Sequence, residues 1–175
     1  MNIKKSLFIS LILSAVMIIT SLNSWEFDAA MCTIPPNVVY DTHCEKIGWQ
    51  VWQQCGNTSG TIARSKRIEC IKIKLDDLTG DYLDSHVEYR VHCQSYGWMS
   101  WVKDGALAGT TGQAKRVEAI NIRLQGSISN DYDIYYRVHV QKHGWMPWVK
   151  NGELAGTTGQ KKRIEAIQIM LVEKN

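Results

Sequence analysis

The residues best suited to chemistry sit around two glycine-rich turns. The segment Gly144–Gln160 reads GWMPWVKNGELAGTTGQ and carries Trp148, Asn151, Thr157, Thr158 and Gln160. The segment Gly97–Gln113 reads GWMSWVKDGALAGTTGQ and carries Trp101, Asp104, Thr110, Thr111 and Gln113. Two hydroxyls, one amide and the free backbone groups of a glycine turn form a polar cradle for sugar hydroxyls. An indole offers an apolar platform for the face of a pyranose. These residues are the candidate ligand-binding set. A demanding turn, with the threonines bonded to nearby backbone, is the structural alternative.

Other polar residues recur at fixed spacing. His43, His92 and His139 invite a metal or a general base. Each falls on the strand face opposite Tyr and Val, so the three imidazoles are expected to point outward on separate sheets and not to converge on one ion. Arg67/Glu69, Arg116/Glu118 and Arg163/Glu165 are expected to be cross-strand ion pairs that pin register. Catalysis requires a nucleophile, a base and an orienting group placed together, and nothing in the sequence forms such a set. The expectation is a non-enzymatic protein with no catalytic residues, no metal and no cofactor.

The elements that must position these residues are written three times. A divergent copy, GWQVWQQCGNTSGTIAR, occupies Gly48–Arg64. The units run from 38 to 75, 87 to 124 and 134 to 171, at offsets of 49 and 47. Such a period marks a repeat architecture. Each unit opens on an alternating segment, as in Tyr136, Val138 and Val140 against Arg137, His139 and Gln141. Each closes on another, as in Ile120, Ile122 and Leu124 against Asn121 and Arg123. Period two is the signature of a strand with two unlike faces. Between them lie a short strand around the second Trp and a tight loop at Ala-Gly-Thr-Thr-Gly. No window supports a long amphipathic helix. One unit cannot bury its apolar face alone, so residues 38–172 are expected to form a single all-β domain. Three pseudo-symmetric repeats would close it, β-prism-like in preference to a β-trefoil. Trp49, Trp98 and Trp145 are expected in the shared core, since Trp buries about 150–250 Å². Trp52, Trp101 and Trp148 divide between core and ligand platform.

The divergent copy keeps both tryptophans, Gly56, Gly60 and the Arg67/Glu69 pair, but replaces Thr-Thr-Gly-Gln by Thr61-Ile-Ala-Arg64. The retained set is expected to be structural. If the loops bind a ligand, this first copy should be dead or altered.

The pattern Tyr-x-Val-His-x-Gln, Gly-Trp-x-x-Trp-Val, Ala-Gly-Thr-Thr-Gly-Gln, Arg-Ile/Val-Glu-Ala-Ile-x-Ile resembles the clostridial hydrophobic repeat with its signature tryptophan, the ChW repeat. The resemblance is specific in the second and third copies. The first departs from it through Cys44, Cys55 and Cys70. It implies a bacterial surface or secreted protein associated with adhesion or with polysaccharide and protein binding, and it brings no agreed catalytic or ligand site.

The N-terminus reads as an export signal. A basic Asn2–Lys5 start precedes an apolar run from Leu7 to Ile19, shorter than the roughly 20 residues of a membrane span. A signal peptide within residues 1–30, cleaved between 21 and 30, is expected, with no membrane span afterwards. The chain would be secreted or held at a bacterial surface. Its partner would be an extracellular glycan or cell-wall polymer, or a surface protein. The net charge of +3 without a concentrated basic face argues against nucleic acid. Oligomeric state is not readable. Of five cysteines, Cys44 and Cys55 are the expected disulfide if a tight turn at Trp49-Gln50 sets them opposite each other. Cys32 with Cys70 is the next candidate.

Overall fold

The computed structural model describes residues 36–76 and 82–174. The expected signal peptide and Cys32 lie outside the described residues. Among those residues no helix is long and apolar enough to cross a membrane.

Each repeat supplies five strands. The first holds β1 (Asn37–Cys44), β2 (Gly48–Trp49), β3 (Gln53–Gln54), β4 (Ser59–Gly60) and β5 (Ile68–Asp76). The second holds β6 (His86–Cys93), β7 (Gly97–Trp98), β8 (Val102–Lys103), β9 (Ala108–Gly109) and β10 (Val117–Gln125). A single-turn helix, α1 (Ile128–Asp131), leads to the third. That repeat holds β11 (Tyr132–Val140), β12 (Gly144–Trp145), β13 (Val149–Lys150), β14 (Ala155–Gly156) and β15 (Ile164–Glu173).

The long opening and closing strands pair antiparallel within each repeat: β1 with β5, β6 with β10, β11 with β15. Alternation decides their faces, and β6 is the clean case, with Val87, Tyr89, Val91 and Cys93 buried between half-buried His86, Glu88, Arg90 and His92. The inward faces of all three repeats merge into one cluster of Ile, Val and Tyr. Its meeting point is an apolar space of ≈ 10 Å³ lined by Ile68, Ile71, Val117, Ile120, Ile164 and Ile167, two residues from each closing strand. That is at the lower limit for one water, with no polar lining to hold it.

Two expectations are corrected here. The Ala-Gly dipeptide is not part of the loop. It is a two-residue strand, and it leaves its own repeat. Strand β9 pairs with β5 of the first repeat, β14 with β10 of the second, and β4 with β15 of the third. The six repeated tryptophans are also not core. None is buried; Trp52 is 44 % and Trp98 36 % exposed. The inward face is already filled by Ile, Val and Tyr, so the indoles lie over the outer, polar face.

A β-bulge explains where the exchanged strands dock. In the first repeat His43 faces Cys70 and Cys44 faces Ile68, which leaves Glu69 without an opposite residue. Glu118 and Glu165 are skipped in the same way. The freed carbonyl of Glu69 accepts the Thr110 amide at 2.9 Å, that of Glu118 the Thr157 amide at 2.9 Å, and that of Glu165 the Thr61 amide at 2.8 Å. The preceding glycines, Gly109, Gly156 and Gly60, have φ of +110°, +107° and +109°. A Cβ on any of them would lie inside van der Waals contact with the same carbonyl and the next Cα.

Buried tyrosines complete each junction. The Tyr89 hydroxyl accepts the Ile73 amide at 3.0 Å and donates to the Ala106 carbonyl. Tyr136 accepts the Ile122 amide at 3.1 Å and donates to the Glu153 carbonyl. Tyr40 accepts the Ile169 amide at 3.1 Å and donates to the Asn57 carbonyl. The carbonyls of Ile73, Ile122 and Ile169 accept the amides of Gly105, Gly152 and Gly56 at 2.7, 2.7 and 2.8 Å. Each closing strand therefore has its open edge satisfied by another repeat, as buried backbone groups require.

Two outcomes follow from these junctions. Gly109→Ala should lose about 3–5 kcal/mol in urea unfolding, because it meets backbone at a positive φ. Gly112→Ala should lose only about 1 kcal/mol: nothing lies within 4 Å of its Cβ position, and Ala63 already occupies the equivalent place with φ 59°. The second outcome concerns alkaline pH. Burial pushes Tyr89 and Tyr136 up from 10.0 to about 12 and raises Tyr40 as well. Burial also pushes the Cys70 thiol from 9.0 to about 11. The native chain holds these protons more tightly than the unfolded one, so their stabilisation is complete below pH 9.0 and is lost as pH rises through the raised values. Urea midpoints measured against pH should be insensitive to these groups up to 9 and fall steadily from there toward about 12.

Candidate functional site

The bulge glutamate begins a ladder of side chains across the outer face of each sheet. Glu118 is 5 % exposed. It receives Arg116 Nε at 2.8 Å and Nη2 at 2.7 Å, and its other oxygen lies 3.1 Å from His92 Nδ1. Glu69 with Arg67 and His43, and Glu165 with Arg163 and His139, repeat the arrangement. The Arg-x-Glu pair is thus formed within one chain segment, with the arginine just before the closing strand and the glutamate inside it, and not across strands as expected; the contact that crosses strands is the histidine. The bulge is the reason, since it turns the glutamate toward both neighbours. The three histidines stand on three different sheets.

The ladder continues through the tryptophans. His43, His92 and His139 meet the edges or faces of Trp49, Trp98 and Trp145 at centroid distances of 5.5, 5.5 and 5.6 Å. A cation then lies between the two indoles of each repeat. Arg90 is 4.7 Å from both Trp98 and Trp101, and Arg137 is 4.9 Å from Trp145 and 4.7 Å from Trp148. In the first repeat Lys72 is 3.9 Å from Trp49 and 5.3 Å from Trp52. Burial lowers the proton affinity of the Arg137 guanidinium. The cation comes from the opening strand in two repeats and from the closing strand in the other. Arg90 faces Asn121, whereas Asp41 faces Lys72, so the cation has moved to the opposite strand. Burial raises the Asp41 carboxyl against the opposing pull of the Gln50 amide and Lys72.

The ten-residue-scale set expected from the sequence is not gathered into one place. Thr110 and Thr157 are buried at the junctions, and their amides are spent on Glu69 and Glu118. Thr111, Thr158, Gln113 and Gln160 are exposed on the loops beyond. Gln113 accepts a hydrogen bond from Tyr96 at 2.7 Å, beside the turn that follows β6. Asp104 accepts the Val87 amide at 3.2 Å at the other end of β6, about 20 Å away at ~3.3 Å per residue. Asn151 accepts the Ile134 amide at 3.1 Å in the same manner. Trp101 and Trp148 lie between these ends, half-buried against their cations.

The sequence reading missed an open cleft on the first repeat. It has a volume of ≈ 540 Å³ and is lined by Trp52, Gln53, Gln54, Asn57, Lys74 and Asp76, over Val39. The signal was present, as a small Val39 where the other copies carry Glu88 and Tyr135.

The expected Cys44–Cys55 disulfide is overturned. Cys44, Cys70 and Cys93 are free, buried thiols, which also removes the Cys32–Cys70 alternative. Cys55 is disulfide-bonded, but not to any of these. The hairpin turns at residues 45–47, so Cys44 faces Gly48. Gln54 instead faces Val39, which puts Cys55 about 17 Å along β1 from Cys44, far beyond disulfide reach.

These features define an all-β repeat protein whose sheets exchange strands and whose outer faces carry paired indoles. The family model described as ChW, Clostridial hydrophobic W, matches residues 43–77, 92–126 and 139–173, more than half of the chain. The chain belongs to that family. Neither a curated protein nor a solved structure matches it.

Replacing Arg137 by Leu should cost about 1–2 kcal/mol in urea unfolding and shift the tryptophan emission, because it removes the charge held between Trp145 and Trp148. Arg137→Lys should retain most of that stability, since Lys72 fills the same role in the first repeat.

Proposed function

We propose that this ChW-repeat chain is a non-enzymatic binding module of the bacterial exterior, secreted or surface-held, that recognises carbohydrate in an extracellular glycan or cell-wall polymer. The observation that carries this reading is the placement of all six repeated indoles on outer sheet faces, none of them buried. Indole surface beside amides and carboxylates suits a pyranose, which offers an apolar face and a rim of hydroxyls. The buried glutamates are engaged by arginine and histidine, which favours a structural role for them over acid–base work. The exchanges of β4, β9 and β14 join first repeat to third, second to first and third to second; they support a closed, β-prism-like arrangement.

A glycan array probed with the full chain, followed by calorimetric titration of each hit, tests the reading. Saturable binding of at least one extracellular or cell-wall glycan by the full chain is the expected result. Absence of every glycan signal, with capture of a defined surface protein instead, would replace it with a protein-adhesion role.

A further inference from the structure

From the cleft on the first repeat we infer a dedicated subsite for one uncharged pyranose unit of a polysaccharide. The inference rests on the carbohydrate reading above and assigns it a place. The three outer faces share one scaffold but differ at two equivalent positions that face each other across the long strands. In the second repeat Glu88 and Arg123 close the face: they pair at 2.7 Å, and Arg123 lies 4.2 Å from the Trp101 ring. Arg123 hydrogen-bonding holds the Glu88 carboxyl below its ordinary value. In the third repeat Tyr135 and Met170 face each other and fill the same place, with Met170 only 5 % exposed. In the first repeat the residues are Val39 and Lys74. Valine lacks the bulk to reach across, and the result is the ≈ 540 Å³ opening, within the range of small-ligand sites.

The lining specifies the ligand class. Trp52 is the one member of the second tryptophan set that is exposed, and it supplies the stacking surface. Gln53, Gln54 and Asn57 bring amide donors and acceptors to the rim. Asp76 brings a carboxylate that can accept two vicinal hydroxyls. Lys74 lies 3.4 Å from Asp76, so the charged pair is neutralised and favours neither an acidic nor a basic sugar. The bonded Cys55 tethers the turn between Gln54 and Asn57. The first copy, which loop composition alone marks as the dead one, is therefore the copy with the open site.

The test titrates the full chain with cellohexaose, xylohexaose and chitohexaose, with oligogalacturonate as the acidic comparison. Val39→Tyr places at this site the residue that the third repeat already carries, and Trp52→Ala removes the stacking surface. Circular dichroism checks that each variant is folded. The expected result is binding of a neutral oligosaccharide that weakens at least about tenfold in both variants, with weaker binding of oligogalacturonate. Neutral-oligosaccharide binding by the wild type that both variants leave unchanged overturns the subsite and leaves the carbohydrate reading standing. A preference for oligogalacturonate overturns the uncharged-ligand assignment. No binding of any sugar by the wild type overturns both.

Discussion

Everything in this domain depends on one backbone carbonyl per repeat, that of the bulged glutamate. A regular antiparallel pair would have spent it within its own hairpin. The bulge leaves it unpaired at Glu69, Glu118 and Glu165, and another repeat must satisfy it. The donor is a threonine amide, and the approach is so close that the residue before it has to be glycine. From that contact follow the two-residue strand pairing, the tyrosine hydroxyl that caps the Ile73, Ile122 or Ile169 amide, and the glycine amide that caps the same residue's carbonyl. Closing strands that would be exposed edges, and so templates for aggregation, are covered in this way.

The same bulge organises the polar face. It turns the glutamate side chain to meet the arginine that precedes its own strand and the histidine on the next, and a buried carboxylate is tolerable only with such partners. The histidine fixes one indole and the indole holds a cation, which then reaches the second indole. The first repeat shows which part of this ladder is required. It exchanges Arg90 and Asn121 for Asp41 and Lys72, yet a cation still stands between the tryptophans. Residues opposite one another on adjacent strands occupy nearly the same space, so either strand can deliver the charge. The requirement is the charge between two π-faces, not a particular residue at a particular number.

Much of the scaffold was legible in the sequence. Alternation in Tyr136, Val138 and Val140 gave the inward faces, and the same parity put the histidines outward on separate sheets. The drift from Gly112 to Ala63 beside the invariant Gly60, Gly109 and Gly156 separated a tolerant turn from a demanding contact. What was not legible has physical causes. A two-residue strand such as Ala108–Gly109 has no period to detect, and an exchange between repeats leaves the same sequence trace as a pairing within one. A tryptophan satisfies a core or a cation equally well, so its recurrence could not say which. The cysteine pairing failed on register: turning at Glu45–Ile47 in place of Trp49-Gln50 moves Cys55 to the far end of β1. The candidate ligand set failed for a related reason, because loop residues adjacent in sequence are drawn to opposite ends of β6 by the exchanged strand.

The copies differ least where repeats touch and most on the outer faces. Junction residues are bound by backbone geometry: no side chain can replace Gly109 without moving the Glu69 carbonyl. Outer positions carry no such constraint. Val39, Glu88 and Tyr135 are interchangeable as far as the fold is concerned, as are Lys74, Arg123 and Met170, because each only covers a face whose hydrogen bonds are complete. Substitution there changes chemistry without changing architecture. Three repeats of one scaffold therefore yield one face closed by an ion pair, one packed with Tyr and Met, and one left open above Trp52. Sequence fidelity among the loops measures how well the repeats interlock, whereas recognition is set by the positions free to diverge.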